Sequence, residues 1–271
     1  MAEPGLVELA TTEEENAKRH LFKWLPCCHI AAAGLTIGAL LSPLPWAYLF
    51  GVLVLVLEAL AWQFRRWALA MHRRSDQARR RALLINAFGG GAERLDVADL
   101  RKSFSDWACK RAAELDRSDY WAERAGELPG VLANLQESAF WSKHLYKAAA
   151  KRMGVIAGAV GACLVAIAVG GFLVFDGDTE LAVARVLVVA LSLLIGLDLI
   201  GQALAWSSAA SEAETVDRRL EHMDGALAEP LLAVIGDYAI ATSMAPPIPD
   251  RFYERDKDKL DDLWEERRGG H

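Results

Sequence analysis

Residues 154–206 determine the fold class: they read GVIAGAVGACLVAIAVGGFLVF (154–175), DGDTE (176–180) and LAVARVLVVALSLLIGLDLIGQALAW (181–206). The first run carries no charge, and as a helix it would be about 33 Å long. A hydrocarbon core is about 30 Å thick, so this run is long enough to cross it. The five residues between the runs turn the chain, and the pattern predicts a helical hairpin through a membrane.

Another hairpin lies earlier in the chain. Leu25–Leu41 and Trp46–Phe64 are apolar, and the prolines of Ser42–Pro45 end one helix and start the next. Trp46 and Trp62 lie near the ends of their run, where aromatic belts occur. A buried core helix is an alternative for any single run, but consecutive runs favour an all-α integral membrane protein with four transmembrane helices in two hairpins.

The distribution of basic residues predicts the orientation. Arginines crowd residues 65–81, whereas the short loops at 42–45 and 176–180 contain no Lys or Arg. By the positive-inside rule the basic segment and both termini face the cytoplasm.

The chain is 53% hydrophobic and also 24% charged, and its charged and apolar residues occupy separate blocks. The segregation predicts five segments, with the membrane hairpins separated by polar helices. They are an N-terminal cytoplasmic segment (1–24), transmembrane hairpin 1 (25–64), a cytoplasmic helical insert (65–151), transmembrane hairpin 2 (152–206) and a C-terminal cytoplasmic helical tail (207–271).

The cytoplasmic segments read as helices with recognisable breaks. Residues 1–17 are polar and predict a mobile or weakly helical start, and 100–115 predict one amphipathic helix. Numbered in chain order, the apolar runs are 25–41, 46–64, 154–175 and 181–206. The helix of the second run should continue to the glycines at 89–91, and a long helix should run from Val131 into the third run. In the tail we expect helices to about 223, over 227–241 and over 257–268, with an extended segment at 245–249.

Glu58, Asp198 and Gln202 are polar residues that lie within the apolar runs. A charge at the bilayer centre costs roughly 2.5–3.5 kcal/mol on insertion scales, so such residues face protein or water. They are candidate pore-lining residues of an oligomer. The alternative is hydration near the inner interface, and for His29 an ordinary interface role is expected.

Small residues mark one face of the third span. Gly154, Gly158 and Gly161 permit close helix approach, either within the bundle or between copies. The basic block at 65–81 is interpreted as an orientation signal that contacts anionic lipid heads, and no groove-reading motif accompanies it to support a nucleic-acid polymer as partner.

Aromatic, amide and basic residues gather before the third span, and they suit a nucleobase and its phosphates. An ordinary helix–helix core is the alternative. No catalytic or metal-binding motif occurs, so we expect no enzyme activity, no cofactor and no metal, and the four cysteines have no disulfide or zinc spacing. The candidate ligand-binding residues are Arg117, Tyr120, Trp121, Arg124, Asn134, Gln136 and Trp141.

Several short motifs resemble the four-transmembrane effector family of bacterial cyclic-oligonucleotide anti-phage signalling systems. The likeness extends from the first span to the tail. The motifs are Tyr120-Trp121, Asn134-Leu135-Gln136-Glu137-Ser138-Ala139-Phe140-Trp141, Asp237-Tyr238, Ala245-Pro246-Pro247-Ile248-Pro249, Leu260 and Leu263-Trp264.

The resemblance implies a homo-oligomeric, pore-forming effector. A cyclic oligonucleotide made on infection would bind the cytoplasmic part, and the spans would then disrupt the inner membrane. Two alternatives stay open: a constitutive membrane scaffold that recruits a cytoplasmic partner, and a small oligomeric transporter.

Overall fold

The computed structural model describes residues 5–88, 94–115, 128–174, 178–223 and 228–269. The described residues form helices and connections without a strand, which confirms the all-α prediction. A turn of π-helix at His20–Trp24 joins the first two helices. The helices are α1 Leu6–Arg19, α2 Leu25–Leu41, α3 Leu44–Phe88, α4 Arg94–Ser103, α5 Asp106–Ala112, α6 Leu128–Val174, α7 Asp178–Leu197, α8 Leu199–Glu221, α9 Ala228–Met244 and α10 Asp250–Gly269.

These helices are distributed between two compact units. The apolar unit comprises Arg19–Trp67 and Ala150–Leu204, and the polar unit comprises Met1–Lys18, Ala68–Ala149 and Ala205–His271. Four helical stretches in the described chain are long and apolar enough to cross a membrane.

The apolar unit packs α2 against α7. Between α2 and α3, the Phe50 ring lies beside Gly38, within 3.6 Å of where a Cβ would stand. At one end the rings of His20, Trp24 and Phe64 gather, with Phe64 and Trp24 centroids 6.4 Å apart. Elsewhere its large apolar side chains point outward, as expected of helices whose surroundings are apolar.

The polar unit has two clusters of buried apolar side chains. In the first, residues spaced by four on α6 meet α8 and α9, and the fully buried Leu135 lies at its centre. In the second, α1 packs on α3 and on α4–α5 through Leu9, Ala78 and Phe104.

The C-terminal helix α10 is fastened by a few contacts. Its Trp264 ring lies 5.2 Å from the Phe140 ring of α6. Arg267 donates to Asp217 of α8, at 3.1 Å to Oδ1, and Lys143 of α6 donates to the same carboxylate, which is only 1% exposed. Two cations therefore satisfy one buried acid.

Some local predictions are confirmed and others are wrong. Helix α3 does continue from the second apolar run to Phe88, and residues 246–249 lie outside any helix, while their extended conformation stays a prediction. The single helix expected over 100–115 is two helices, because Ser105 adopts an extended backbone and its hydroxyl accepts a hydrogen bond from the Ala108 amide. Helix α10 begins at Asp250 rather than at 257, and α6 already begins at Leu128.

The first residues are also more ordered than expected. Residues 6–19 form a helix that buries Leu9 and even the carboxylates of Glu13 and Glu14. Glu13 pairs with Arg74 at 3.1 Å and accepts a hydrogen bond from the Ser105 hydroxyl. These partners lie far along the chain, so residues that read locally as a solvated acidic start are buried.

Glu14 and His72 form a buried ion pair between α1 and α3. His72 Nδ1 donates to Glu14 Oε2 at 2.7 Å, and His72 is 4% exposed. Burial raises the pKa of Glu14, but the charge of His72 and its hydrogen bond outweigh burial and lower it to about 2. Burial lowers the pKa of His72, yet Glu14, helped by Asp76 and opposed by Arg79, raises it above 6.5.

The two shifts give the pair a defined pH window. The contribution of His72 to stability is fully present below pH 6.5 and is lost as pH rises through its raised folded-state pKa. The contribution of Glu14 is fully present above pH 4.5 and is lost as pH falls through about 2. Stability from the pair is therefore greatest between pH 4.5 and 6.5.

We expect His72→Gln to destabilise the protein by roughly 3 kcal/mol at pH 6, because the buried carboxylate loses its counter-charge. It should also flatten the loss of stability on the alkaline side. Thermal unfolding of the full-length protein in detergent between pH 5 and pH 9 measures both effects. His222→Gln, at an exposed histidine, is the control, and an equal change in the two variants would contradict the assignment.

Candidate functional site

Five polar residues of the apolar unit lie together and are called here the paired-charge cluster: His29, Glu58, Arg65, Asp198 and Gln202. His29 of α2 contacts Glu58 of α3, with 3.1 Å between Nδ1 and Oε1. The His29 side chain is buried, whereas that of Glu58 is half-exposed. The acid predicted to face a pore thus has a hydrogen-bonding partner within its own chain.

Asp198 is paired too. Arg65 of α3 donates to the Asp198 carboxylate, and both side chains are about one-third exposed in the isolated chain. An acid and a base held together are far less costly in apolar surroundings than either charge alone. The pair therefore accounts for how an aspartate is tolerated inside an apolar helix.

The backbone breaks at the same aspartate. Asp198 has φ 52°, a left-handed conformation uncommon for a residue other than glycine, and it separates α7 from α8. The fourth apolar run was predicted as one continuous helix, and this prediction is wrong at Asp198. Aspartate tolerates the left-handed region better than most residues, and Arg65 holds its side chain in place.

Hydrogen bonds from Gln202 satisfy backbone carbonyls at the helix break. The side-chain Nε2 of Gln202 donates to the Leu197 carbonyl at 2.8 Å, and the backbone N–H of Gln202 donates to the Asp198 carbonyl at 3.0 Å. The Asp198 carboxylate folds over Gly201 and occupies the space that a Cβ would need there. The buried Gln202 Oε1 accepts no hydrogen bond within the described residues. Such repair is what an interrupted helix needs where water is scarce.

Gly196 lies between the His29–Glu58 contact and the Arg65–Asp198 ion pair. A Cβ at this position would stand 2.9 Å from His29 Cε1, so the imidazole occupies the space that glycine leaves on α7. His29–Glu58 therefore lies about half a helical turn along α7 from Asp198–Arg65. The cluster can hold polar groups in apolar surroundings, and separation of a pair would leave polar groups that require water.

Sequence reasoning found the acids but missed their bases. Arg65 was assigned only to the basic block, and His29 only to an interface role. The available signal was spacing: Glu58 and Arg65 are seven residues apart, which places them on one side of α3 two turns apart. Whether Glu58, Asp198 and Gln202 line a pore stays a prediction.

The predicted ligand-binding residues divide into two groups. Arg117, Tyr120, Trp121 and Arg124 lie outside the described residues. Asn134, Gln136 and Trp141 lie on α6, partly buried.

Helix geometry separates the described candidates. Asn134 and Trp141 are two turns apart on one side of α6, whereas Gln136 is about 200° round the helix from Asn134. The Trp141 ring lies 6.0 Å from the Tyr253 ring of α10. Of the described candidates, Asn134 and Trp141 therefore share one side of α6, next to Tyr253, and Gln136 lies on a different side.

The glycines of the third apolar run make no close contact. At Gly154, Gly158 and Gly161 a Cβ would meet no atom within 4 Å in the described chain. Of the two predicted uses, packing within the chain is not seen at these positions, and packing between copies stays a prediction. No group of three or more His, Cys, Asp or Glu side chains in the described segments is arranged to hold a metal ion.

We expect Gly196→Ala to destabilise the protein by about 1–3 kcal/mol, because the new methyl group displaces the His29 ring and strains its bond to Glu58. Gly161→Ala, which meets open space, is the matched control and should be neutral or stabilising. Thermal unfolding in detergent measures both variants. Adding His29→Ala to Gly196→Ala should recover part of the loss, and purely additive effects would contradict the contact.

Comparison with protein-family models, with curated proteins and with solved structures finds no match to this chain. No family is therefore assigned by comparison, and the motif resemblance remains an expectation drawn from the sequence.

Proposed function

We propose that this chain is an integral membrane effector that forms a pore when a cyclic oligonucleotide binds its polar unit. One observation carries the proposal: α3, α6 and α8 each contain residues of both units without an intervening loop. A ligand that binds one state of the polar helices better than another shifts the population of that state. Continuous helices would extend the shift to the apolar unit.

The outward apolar surface supports the membrane part of the proposal. Val155, Val165, Ile195 and Leu204 are each exposed over more than 60% of their surface in the isolated chain. Soluble monomers rarely expose such continuous apolar surface. A bilayer of about 30 Å would cover it, with the polar unit outside the hydrocarbon.

The charge asymmetry supports the proposed orientation. Seven arginines lie between residues 65 and 81, immediately after the second apolar run. The opposite ends of the runs carry a single basic residue, Arg185, which is the fifth residue of the fourth apolar run (181–206). This excess favours a cytoplasmic polar unit and an inner-membrane location.

The paired-charge cluster supplies the proposed gate. In the resting state the charges of Arg65 and Asp198 neutralise each other, and Glu58 is hydrogen-bonded to His29. Separation of either pair would leave a charge that requires water or a permeating ion in its place. The helix break at Asp198 provides a point at which α7 and α8 can change direction.

The identity of the ligand comes from the motif resemblance and from side-chain chemistry. Aromatic rings stack on nucleobases, and arginines bind phosphates. In the proposal Trp141, Tyr120 and Trp121 contact bases, Arg117 and Arg124 contact phosphates, and Asn134 donates an amide hydrogen bond, whereas Gln136 faces away from this surface. Assembly of several copies in the bilayer would complete the pore.

A small oligomeric transporter is the second candidate. Interrupted helices with paired charges form ion sites in transporters, and Asp198 shows both features. A transporter would move a specific solute in a coupled fashion without releasing large molecules, and a constitutive scaffold would move neither.

Liposomes that contain the purified protein and a trapped dye test the proposal. With a panel of cyclic di- and trinucleotides we expect leakage with one member only. Trp141→Ala should reduce the response by about tenfold or more, through loss of one base-stacking contact. Trp141→Phe keeps an aromatic ring and should retain part of the response.

The outcomes separate the candidates. If none of the nucleotides causes leakage, in protein shown to be inserted, the gated pore is rejected in favour of the scaffold. Ion flux without dye release would favour the transporter. An unchanged response in well-expressed Trp141→Ala protein would exclude this residue from the ligand site.

A further inference from the structure

Helix α9 of the polar unit is apolar on two opposite sides. Its inner side places Leu231, Val234 and Ile235 in the core. Its outer side exposes a stripe at four-residue spacing, about 18 Å long. The stripe consists of Leu232, Gly236, Ile240 and Met244, with side chains or backbone facing outward.

The outer stripe is uncovered by the described chain. Leu232 is 45% exposed, Ile240 65% and Met244 76%. A helix that is apolar on all sides is normally buried on all sides. The outer side of α9 thus has the composition of a contact surface.

Gly236 shows what kind of surface is required. A Cβ there would meet no atom within 4 Å, so nothing in the described chain needs the space. Glycine inside a helix costs about 0.5–1 kcal/mol relative to alanine. Leu232 and Ile240 lie one helical turn before and after Gly236. Their side chains leave a gap at Gly236 that could accept a side chain of a neighbouring helix.

We propose that this stripe is the contact between two copies of the chain, with the two α9 helices antiparallel about a two-fold axis. In this arrangement Ile240 of each copy enters the gap at Gly236 of the other, so one stripe supplies both surfaces. A lipid surface would also cover apolar side chains, but it has no use for a glycine gap.

The charged edge of the stripe fits the same partner. Arg219 of α8 pairs with Asp237 of α9, and both side chains are about half-exposed. A two-fold axis brings two acids and two bases to one edge with no net charge. Each Arg219 can then serve the Asp237 of either copy.

The stripe is smaller than a complete interface. Stable complexes bury about 1,200–2,000 Å² in total, more than one helical stripe of this length supplies. The contact therefore depends on confinement of the copies, as in a shared bilayer, which raises their effective concentration. Self-association through α9 rests on the membrane insertion of the proposed function and supplies a surface for the assembly of copies, but it needs neither a nucleotide nor an open pore.

The test uses the full-length protein in lipid nanodiscs or vesicles, with association measured by energy transfer between labelled copies. Gly236→Ala should raise the thermal midpoint of unfolding and yet weaken association, because the methyl group improves the helix and fills the gap. Ile240→Lys should weaken association by about tenfold, since it buries a charge in the contact. Leu263→Lys, at a 36% exposed leucine of α10, is the control and should leave association unchanged.

A second measurement locates the contact. In a protein whose native cysteines are replaced by serine, copies with Gly236→Cys and copies with Ile240→Cys should form a mixed disulfide when combined under oxidation. Unchanged association in both Gly236→Ala and Ile240→Lys would overturn the proposal. An environment-sensitive dye on the new thiol of the Ile240→Cys protein that reports lipid contact would also overturn it, in favour of a membrane surface. Wild-type protein that associates through 236 and 240 but never leaks would reject only the proposed pore.

Discussion

One helix, α3, cannot place its two halves in the same surroundings. It is 45 residues long, or about 68 Å, and it begins with an uncharged run and continues into seven arginines between residues 65 and 81. Water around the first half or hydrocarbon around the second would each be unfavourable by many kcal/mol. The separation of the chain into an apolar and a polar unit along shared helices satisfies this constraint.

The charges near the change of polarity are paired rather than isolated. Arg65 meets Asp198 and His29 meets Glu58 in the apolar unit, while His72 meets Glu14 in the polar unit. Removing one member of such a pair leaves a charge that the surroundings cannot solvate. The pairs therefore tolerate burial only together, and any event that separates one pair must supply a new partner. This property is the basis of the gate proposed for the paired-charge cluster.

The sequence was sufficient to predict helices and apolar runs, since both depend on local periodicity. The helix break at Asp198 was not predictable in this way, because a single aspartate in an apolar run reads as continuous helix until Arg65 is seen to hold it. The burial of Glu13 and Glu14 was missed for a similar reason: their partners, Arg74 and His72, lie about 60 residues away. Ligand contacts and self-association depend on surfaces, and local pattern specifies these least.

The central claim is that the apolar runs form two hairpins across a bilayer with the polar unit on the cytoplasmic side. Single cysteines at two positions test it in a background without native cysteines: Ser42→Cys between α2 and α3, and Lys102→Cys, at an exposed lysine of α4. A membrane-impermeant maleimide is applied to intact spheroplasts. The account predicts labelling at 42 in intact cells and labelling at 102 only after permeabilisation. Labelling at 102 from outside, or protection at 42 in both conditions, would contradict it.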